Sequence, residues 1–414
     1  MASSTRTCSK ARALVSAFEM ATLALAAVVP LNNAMAQQDV LTLPVSVAPT
    51  WDANVFRAPG GVTDPQQGRG LSGRSDLYTT TSVGLDLNKS YAQQNFRLTL
   101  GQTATRYDKF KFLDRDATNY RGALQWYLTP RISGSLSTDR SESIIGFEDS
   151  RAQGATVTAT RNHNLTIDVW LFSGWHLLAS VGKVERRNSA VFLALPSSDL
   201  SSGDFGVRYE SPGWGSISFI ERRSRGINTG QQVDRTNFID SGFETRESEA
   251  RLAWTISGKS SLSGRVTRTQ RRHDNIPERD FSGTSLDAAY TWNPTAKLGL
   301  ALTATRAVAP FTTGTSSSFR VDETLALAPS WRLTEKVTLI GRVARLSTTY
   351  DGPVVATTAA ARRDTLHSMR LGANWQVHGN AVIAATLDRD RRESTDPTLS
   401  FNNLTAGLRA SFTF

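Results

Sequence analysis

The last eleven residues, Leu404-Thr405-Ala406-Gly407-Leu408-Arg409-Ala410-Ser411-Phe412-Thr413-Phe414, alternate without a break. Even positions carry Leu, Ala, Leu, Ala, Phe and Phe; odd positions carry Thr, Gly, Arg, Ser and Thr. Successive side chains of a strand point to opposite faces, so this stretch is one strand with an apolar side and a polar side. Small and charged residues make a poor soluble core. They suit a wall with lipid on one face and water on the other.

The same period of two recurs upstream. Tyr120, Gly122, Leu124, Trp126 and Leu128 interleave with Arg121, Ala123, Gln125 and Tyr127. Leu298, Leu300, Leu302 and Ala304 alternate with Gly299, Ala301, Thr303 and Thr305, and Leu325, Leu327, Pro329, Trp331 and Leu333 with Ala326, Ala328, Ser330 and Arg332. Read along the whole chain, the pattern predicts strands over 42–56, 77–88, 93–107, 117–128, 131–140, 154–171, 175–187, 202–211 and 215–225. It continues over 243–257, 260–270, 283–293, 296–306, 321–333, 336–349, 364–377, 380–389 and 401–414. That is about eighteen strands, or sixteen if one hairpin is a loop excursion.

Connectors alternate short and long. Short turns fall at Asn88-Lys89-Ser90, Thr129-Pro130, Ser173-Gly174, Pro212-Gly213-Trp214, Gly258-Lys259, Asn293-Pro294-Thr295, Thr334-Glu335 and His378-Gly379-Asn380. Long loops rich in Asp, Arg, Gly, Ser and Thr lie between them, near 57–76, 108–116, 141–153, 188–201, 226–242, 271–282, 307–320, 350–363 and 390–400. Short turns at one rim and long polar loops at the other describe an all-β, transmembrane antiparallel outer-membrane β-barrel, with both ends of the chain on the short-turn side. An even number of strands closes the sheet with no free edge.

Composition agrees. The chain has 414 residues, 39% hydrophobic and 20% charged, with a net charge of +10. Beyond the N-terminus no stretch approaches the roughly 18 apolar residues of a spanning helix. The longest uncharged run, Leu371–Leu387, holds the His378-Gly379-Asn380 turn.

The first 36 residues read as a signal peptide: Arg6, Lys10 and Arg12, then an apolar stretch from Ala13 to Leu31, then Ala34-Met35-Ala36 as the cleavage site. The mature domain is then 37–414, and losing three basic residues and one acidic residue leaves it at +8. The lone cysteine, Cys8, leaves with the leader, so thiol and thiolate–metal chemistry are excluded from the mature chain.

Tryptophan marks the repeat. Trp126, Trp170, Trp214, Trp254, Trp292, Trp331 and Trp375 are 38 to 44 residues apart, each near a short turn. A propeller blade would fit four short strands into that period, whereas here it holds two long ones. The ladder is read as the aromatic girdle of the periplasmic interface, where an indole is half apolar and half wet.

Arginine carries the functional clue, with 39 Arg against 8 Lys spread along the chain instead of massed in a nucleic-acid arm. By parity Arg97, Arg121, Arg208, Arg251, Arg265, Arg332, Arg342, Arg370 and Arg409 face inward, joined by Asp86, Asp168, Asp204, Asp287 and Asp388. Eighteen strands enclose an aqueous lumen. Guanidinium groups outnumbering carboxylates there would favour anionic solutes. The alternative is that the two sets pair across strands and only solvate the wall.

A second set of doublets (Arg186-Arg187, Arg222-Arg223, Arg271-Arg272, Arg362-Arg363 and Arg391-Arg392) lies at the long-loop rim, placed to meet lipopolysaccharide phosphate or water. The loops 226–242 and 57–76 are candidates to fold inward as a constriction.

No catalytic constellation is visible. The five histidines (163, 176, 273, 367 and 378) have no metal-ligand spacing, and there is no G-x-S-x-G. The sequence predicts no enzyme, no metal and no cofactor. Phe414, with Phe412 two residues before it, is similar to the terminal signal read by the barrel-assembly machinery, although Gly407 sits two positions earlier than the usual Gly.

The opening Asp52-Ala53-Asn54-Val55-Phe56, a D-x-N-[hydrophobic]-F motif, resembles the start of beta-barrel porin-2-like outer-membrane proteins. With the length and the Trp hairpins, the mature chain resembles the EpsL-type exopolysaccharide outer-membrane proteins, which are associated with exosortase and polysaccharide gene clusters of Gram-negative bacteria. That resemblance implies movement of a polysaccharide across the outer membrane and supplies no catalytic residues. The resulting expectation is a passive conduit for an exopolysaccharide, acidic if the Arg set reads it, with outer-membrane lipid and separate periplasmic export proteins as partners. A general or anion-selective porin is the second reading, and a surface barrel whose loops bind polymer or cells the third.

Overall fold

The computed structural model describes residues 40–60, 73–144, 146–147, 156–189, 196–311, 317–352 and 361–414. The expected leader, 1–36, lies outside them. The first strand, β1, is Val40–Thr42 continued by Pro44–Asp52. After it come β2 (Asp76–Tyr91), β3 (Gln94–Tyr107), β4 (Arg115–Thr129), β5 (Ile132–Ile144), β6 (Val157–Phe172), β7 (Trp175–Asn188), β8 (Ser198–Ser211) and β9 (Gly215–Asn228). Then follow β10 (Gly242–Ser257), β11 (Ser260–His273), β12 (Phe281–Trp292), β13 (Leu298–Pro310), β14 (Phe319–Arg332), β15 (Val337–Asp351), β16 (Arg363–His378), β17 (Ala381–Ser394) and β18 (Phe401–Thr413).

The two pieces of β1 are one strand. Thr42 lies opposite Asp86 and Val45 opposite Val83, so the register against β2 runs unbroken past Leu43. Leu43 itself exchanges backbone hydrogen bonds with Phe414, at 2.9 and 3.2 Å. Every strand pairs antiparallel with its sequence neighbour, and β18 pairs with β1, Phe412 opposite Val45. The molecule is a closed eighteen-stranded antiparallel barrel. Closure satisfies every ladder internally, the condition for crossing hydrocarbon. No helix among the described residues is long and apolar enough to span a membrane.

Cross-strand partners share a face, so one parity assignment propagates around the sheet. It returns to itself at the seam, where Ala406 meets Trp51. The outward face is apolar and bare: Leu371 is 63% exposed, Phe205 60% and Leu325 58%. In water such a surface would aggregate; in a bilayer each Leu near the midplane contributes roughly 0.5 kcal/mol towards insertion.

Two expected details change. The turn expected at Asn88-Lys89-Ser90 lies at Ala92-Gln93. The ladder runs on through Tyr91 opposite Gln94, and Ala92 takes φ 51° to close the two-residue hairpin. Asn95 Nδ2 then reaches Asn88 Oδ1 at 2.9 Å and Ser90 Oγ at 3.0 Å, contacts that use the residues read as a turn.

β1 ends at Asp52 instead of running to 56. There the carboxylate accepts from the Asn54 N–H at 2.8 Å, and Arg57 adopts φ 52°.

The tryptophans divide. Trp126, Trp254, Trp292, Trp331 and Trp375 face outward near the short-turn rim. Trp126 packs over Gly134, where a Cβ would sit 2.4 Å from the indole and 2.2 Å from the Thr166 carbonyl oxygen, so only glycine fits. Trp214 sits in the turn itself.

Trp170 differs from its expected place. Its partner is His176, on the inward face, and the Arg131 guanidinium lies 5.2 Å from its ring. A bulge between Trp170 and Phe172 displaces the hairpin, and Trp175 takes the outward position, 5.1 Å from Tyr209. Phe412 faces outward, with Phe414 stacked at 6.4 Å.

Candidate functional site

All nine arginines predicted to face inward lie on the inner face, as do the five aspartates. Water reaches mid-barrel, because Thr99, Arg121, Gln125 and Arg342 point inward and remain exposed.

The inner face is nearly neutral, however. Six more arginines (115, 186, 222, 271, 320 and 392) and nine more carboxylates share it: Asp52, Asp76, Asp139, Glu210, Glu247, Glu249, Asp322, Asp364 and Asp390. With the expected nine and five, fifteen arginines face fourteen carboxylates. The expected excess of guanidinium over carboxylate is therefore reduced to one. The same parity that selects Arg251 also selects Glu247 and Glu249, so this much was available from sequence.

What distinguishes the arginines is pairing. On the wall formed by β6–β12, Arg208, Arg222, Arg251 and Arg265 are neutralised, while Arg186 and Arg271 at the long-loop rim make no ion pair with a described residue. Arg208 Nη2 lies 2.6 Å from Asp168 and 3.4 Å from Glu210, and Asp168 also meets His176 Nδ1 at 2.6 Å. Arg222 forks onto Asp204 through Nε at 2.9 Å and Nη2 at 2.8 Å, and its Nη1 reaches Glu247 at 3.3 Å. Arg251 pairs with Glu249, and Arg265 with Asp287 at 2.6 Å. Bidentate geometry of this kind fixes both side chains and spends their charge on each other. Across the barrel, Arg370 pairs with Asp388.

The wall running from β14 through the seam to β4 is different. Arg97, Arg121, Arg332, Arg342 and Arg409 are all exposed and make no ion pair with a described residue. Arg97 donates only to Asn95 Oδ1, at 3.0 Å. Arg342 lies directly opposite Arg370, and Arg332 closes its strand at the short-turn rim. Asp86 faces inward among them. This half of the lumen carries a strip of uncommitted guanidinium groups.

At the long-loop rim the inner face becomes aromatic and the loops lock onto it. Arg271 lies 3.9 Å from the Phe243 ring centroid and 5.7 Å from that of Phe281, and Arg362 4.3 Å from that of Tyr350. Val55, Phe56, Phe110 and Leu113 form a buried cluster where the loops after β1 and β3 meet. Asp76 holds that cluster by accepting from the Lys109 and Phe110 N–H groups.

The 226–242 loop is tied down by Asp240, which accepts from the Asn275 and Ile276 N–H groups at 2.7 and 2.9 Å. Burial acts to raise the Asp240 pKa, but these donors and the Asn275 side chain outweigh it and hold the carboxyl below the usual range. Arg279, almost fully buried, donates to the carbonyls of Phe238 and Phe311. Of the other expected constriction, 57–76, residues 61–72 lie outside the described residues.

The arginine doublets split between the faces. Arg186, Arg222, Arg271 and Arg392 face inward, and Arg187, Arg223, Arg272 and Arg391 outward. In the fifth doublet Arg363 faces outward at the end of its strand, while Arg362 belongs to the loop. Arg362 and Arg392 share Asp364, at 2.6 and 2.5 Å. Among the described residues no group of three or more His, Cys, Asp or Glu could hold a metal ion.

The sequence profile of the family described as "Putative beta-barrel porin 2" matches residues 248–413, from within β10 to the end of β18. Porins are channels, not enzymes. No curated protein matches the sequence.

Among solved structures the chain is similar to the outer-membrane protein OpdK of Pseudomonas aeruginosa, at 8% identity and TM-score 0.51 over 91% of this chain and 99% of that one. It is also similar to OccK2 (OpdF) of the same organism, solved in complex with glucuronate, at 11% identity and TM-score 0.50 over 91% and 98%. These likenesses are of fold. The chain is a porin-like outer-membrane barrel, an architecture of the Gram-negative outer membrane.

Proposed function

We propose that this barrel is a passive outer-membrane conduit for an exopolysaccharide that carries carboxylate groups. The observation that carries the reading is the strip of exposed guanidinium groups on Arg97, Arg121, Arg332, Arg342 and Arg409, uncommitted to described carboxylates and facing an open interior. A planar guanidinium meets a carboxylate with two parallel hydrogen bonds. Spread along one wall and left in water, such groups give weak, exchangeable contacts, and transport needs binding that also releases.

The resemblance to EpsL-type proteins and the glucuronate held by a barrel of similar fold support an acidic sugar as the unit recognised. Driving force would come from the inner membrane, through periplasmic proteins that feed the short-turn rim. Cleavage of the leader after Ala36 and recognition of the Phe412–Phe414 end by the assembly machinery belong to the same proposal.

A second reading, an anion-selective porin for small solutes, uses the same strip, and the near-neutral inner face favours it over a strongly attracting pore. Deleting the gene and assaying polymer separately in periplasm and medium separates the two. Polymer trapped in the periplasm and rescued by the intact chain is expected. Normal secretion with altered uptake of small anions would overturn export and leave the porin.

A further inference from the structure

The outer surface of the barrel carries a basic row that nothing in the lumen explains. Arg345 on β15 lies directly opposite His367 on β16, which lies directly opposite Arg391 on β17, all on the outward face. Arg389 is one diagonal step away, opposite Met369. Neighbouring strands are about 4.8 Å apart, so the row spans only about 10 Å.

All four side chains are exposed. Like charges at neighbouring strand positions destabilise a sheet unless something neutralises them. Glu393 meets Arg391 at 2.9 Å, but Arg345 and Arg389 make no ion pair with a described residue.

The row lies on the long-loop side of the apolar exterior. Leu325 lies directly opposite Arg345 and Met369 opposite Arg389, with Val343 and Leu371 two positions toward the short-turn side, each more than half exposed. An apolar surface capped by clustered guanidinium groups is complementary to an acylated lipid with anionic headgroup phosphates. In the leaflet facing the long loops that lipid is lipopolysaccharide.

We propose that Arg345, His367, Arg389 and Arg391 form a docking site for the phosphates of lipopolysaccharide, with its acyl chains lying on the Leu325–Leu371 surface. The site is separate from the lumen, and its failure would leave the conduit reading untouched.

The test uses the folded mature barrel in detergent, with bisphosphorylated lipid A as the probe and native mass spectrometry as the readout. The R345Q/R391Q variant should bind about tenfold more weakly, the loss of about one charge-assisted hydrogen bond, with unchanged single-channel conductance. Unchanged affinity in that variant would overturn the proposal. Wild-type barrel gives an independent test that needs no variant to fold. Monophosphorylated lipid A should bind several-fold more weakly than the bisphosphorylated form, and equal binding would overturn the site.

Discussion

The two walls of this barrel use the same residue type to opposite ends. On β6–β12 Arg208, Arg222, Arg251 and Arg265 sit against Asp168, Asp204, Glu249 and Asp287, and the middle of that wall is electrically spent. From β14 through the seam to β4, Arg97, Arg121, Arg332, Arg342 and Arg409 stand in water without a described ionic partner, beside the paired Arg370 and Arg392. A count of inward arginines therefore says little about selectivity. What matters is which of them are already neutralised, because a committed guanidinium offers a passing carboxylate almost nothing.

The comparison breaks most visibly if the spent wall is made to resemble the bare one. Replacing Asp168, Asp204 and Asp287 together by Asn removes the nearest carboxylate of Arg208, Arg222 and Arg265, leaving only the longer contacts to Glu210, Glu247 and Glu249. The variant should become clearly more anion-selective than wild type, with a shifted reversal potential across a KCl gradient. It should also unfold more easily, because a part-buried guanidinium that loses its nearest carboxylate costs about 1 kcal/mol or more.

Asp204→Asn alone should show the same pair of effects on a smaller scale, measurable as a lower temperature for loss of heat-modifiable mobility on gels. Arg121→Gln touches only the bare strip. It should lower anion preference slightly and leave stability unchanged, since that side chain has no described ion pair to lose.

Salt sharpens the contrast further. Raising ionic strength from 0.1 to 1 M shortens the Debye length from about 10 to about 3 Å, so selectivity due to the bare strip should fade while the ion-paired wall stays intact.

The smallest effect concerns the loops. Asp240 has its pKa held below the ordinary carboxylate value, so its contribution is full above that value and is lost as pH falls through the depressed one. The 226–242 loop should stay clamped at neutral pH and loosen only under acid. Hydrogen exchange at the Asn275 and Ile276 amides checks this, and Asp240→Asn should remove the pH dependence.

Much of this architecture was legible in the chain because a period of two persists over long strands and every face has a partner. Where a single residue decides, legibility fails. The first hairpin turns at Ala92, which has none of the Gly, Asn or Pro character that marks a turn, so the Asn88-Lys89-Ser90 signal wins on paper and loses to continued pairing. A single bulge after Trp170 sends that indole inward and hands its outward place to Trp175.

The inward parity of Arg97, Arg121 and their companions was readable. Their division into spent and bare was not. Pairing depends on the register between two strands and on rotamers, and neither is written in one strand's alternation. Asp204 and Arg222, for example, are eighteen residues apart and meet only because β8 and β9 align them.

The central claim is that the bare strip gives the lumen its preference. The direct measurement is the reversal potential of single channels in a planar bilayer under a KCl gradient, comparing wild type with a variant carrying Gln at 97, 121, 332, 342 and 409. The prediction is a loss of anion preference and a turn toward cations, because five uncommitted charges leave an otherwise nearly balanced inner face. An unchanged reversal potential in a folded, conducting variant would contradict it.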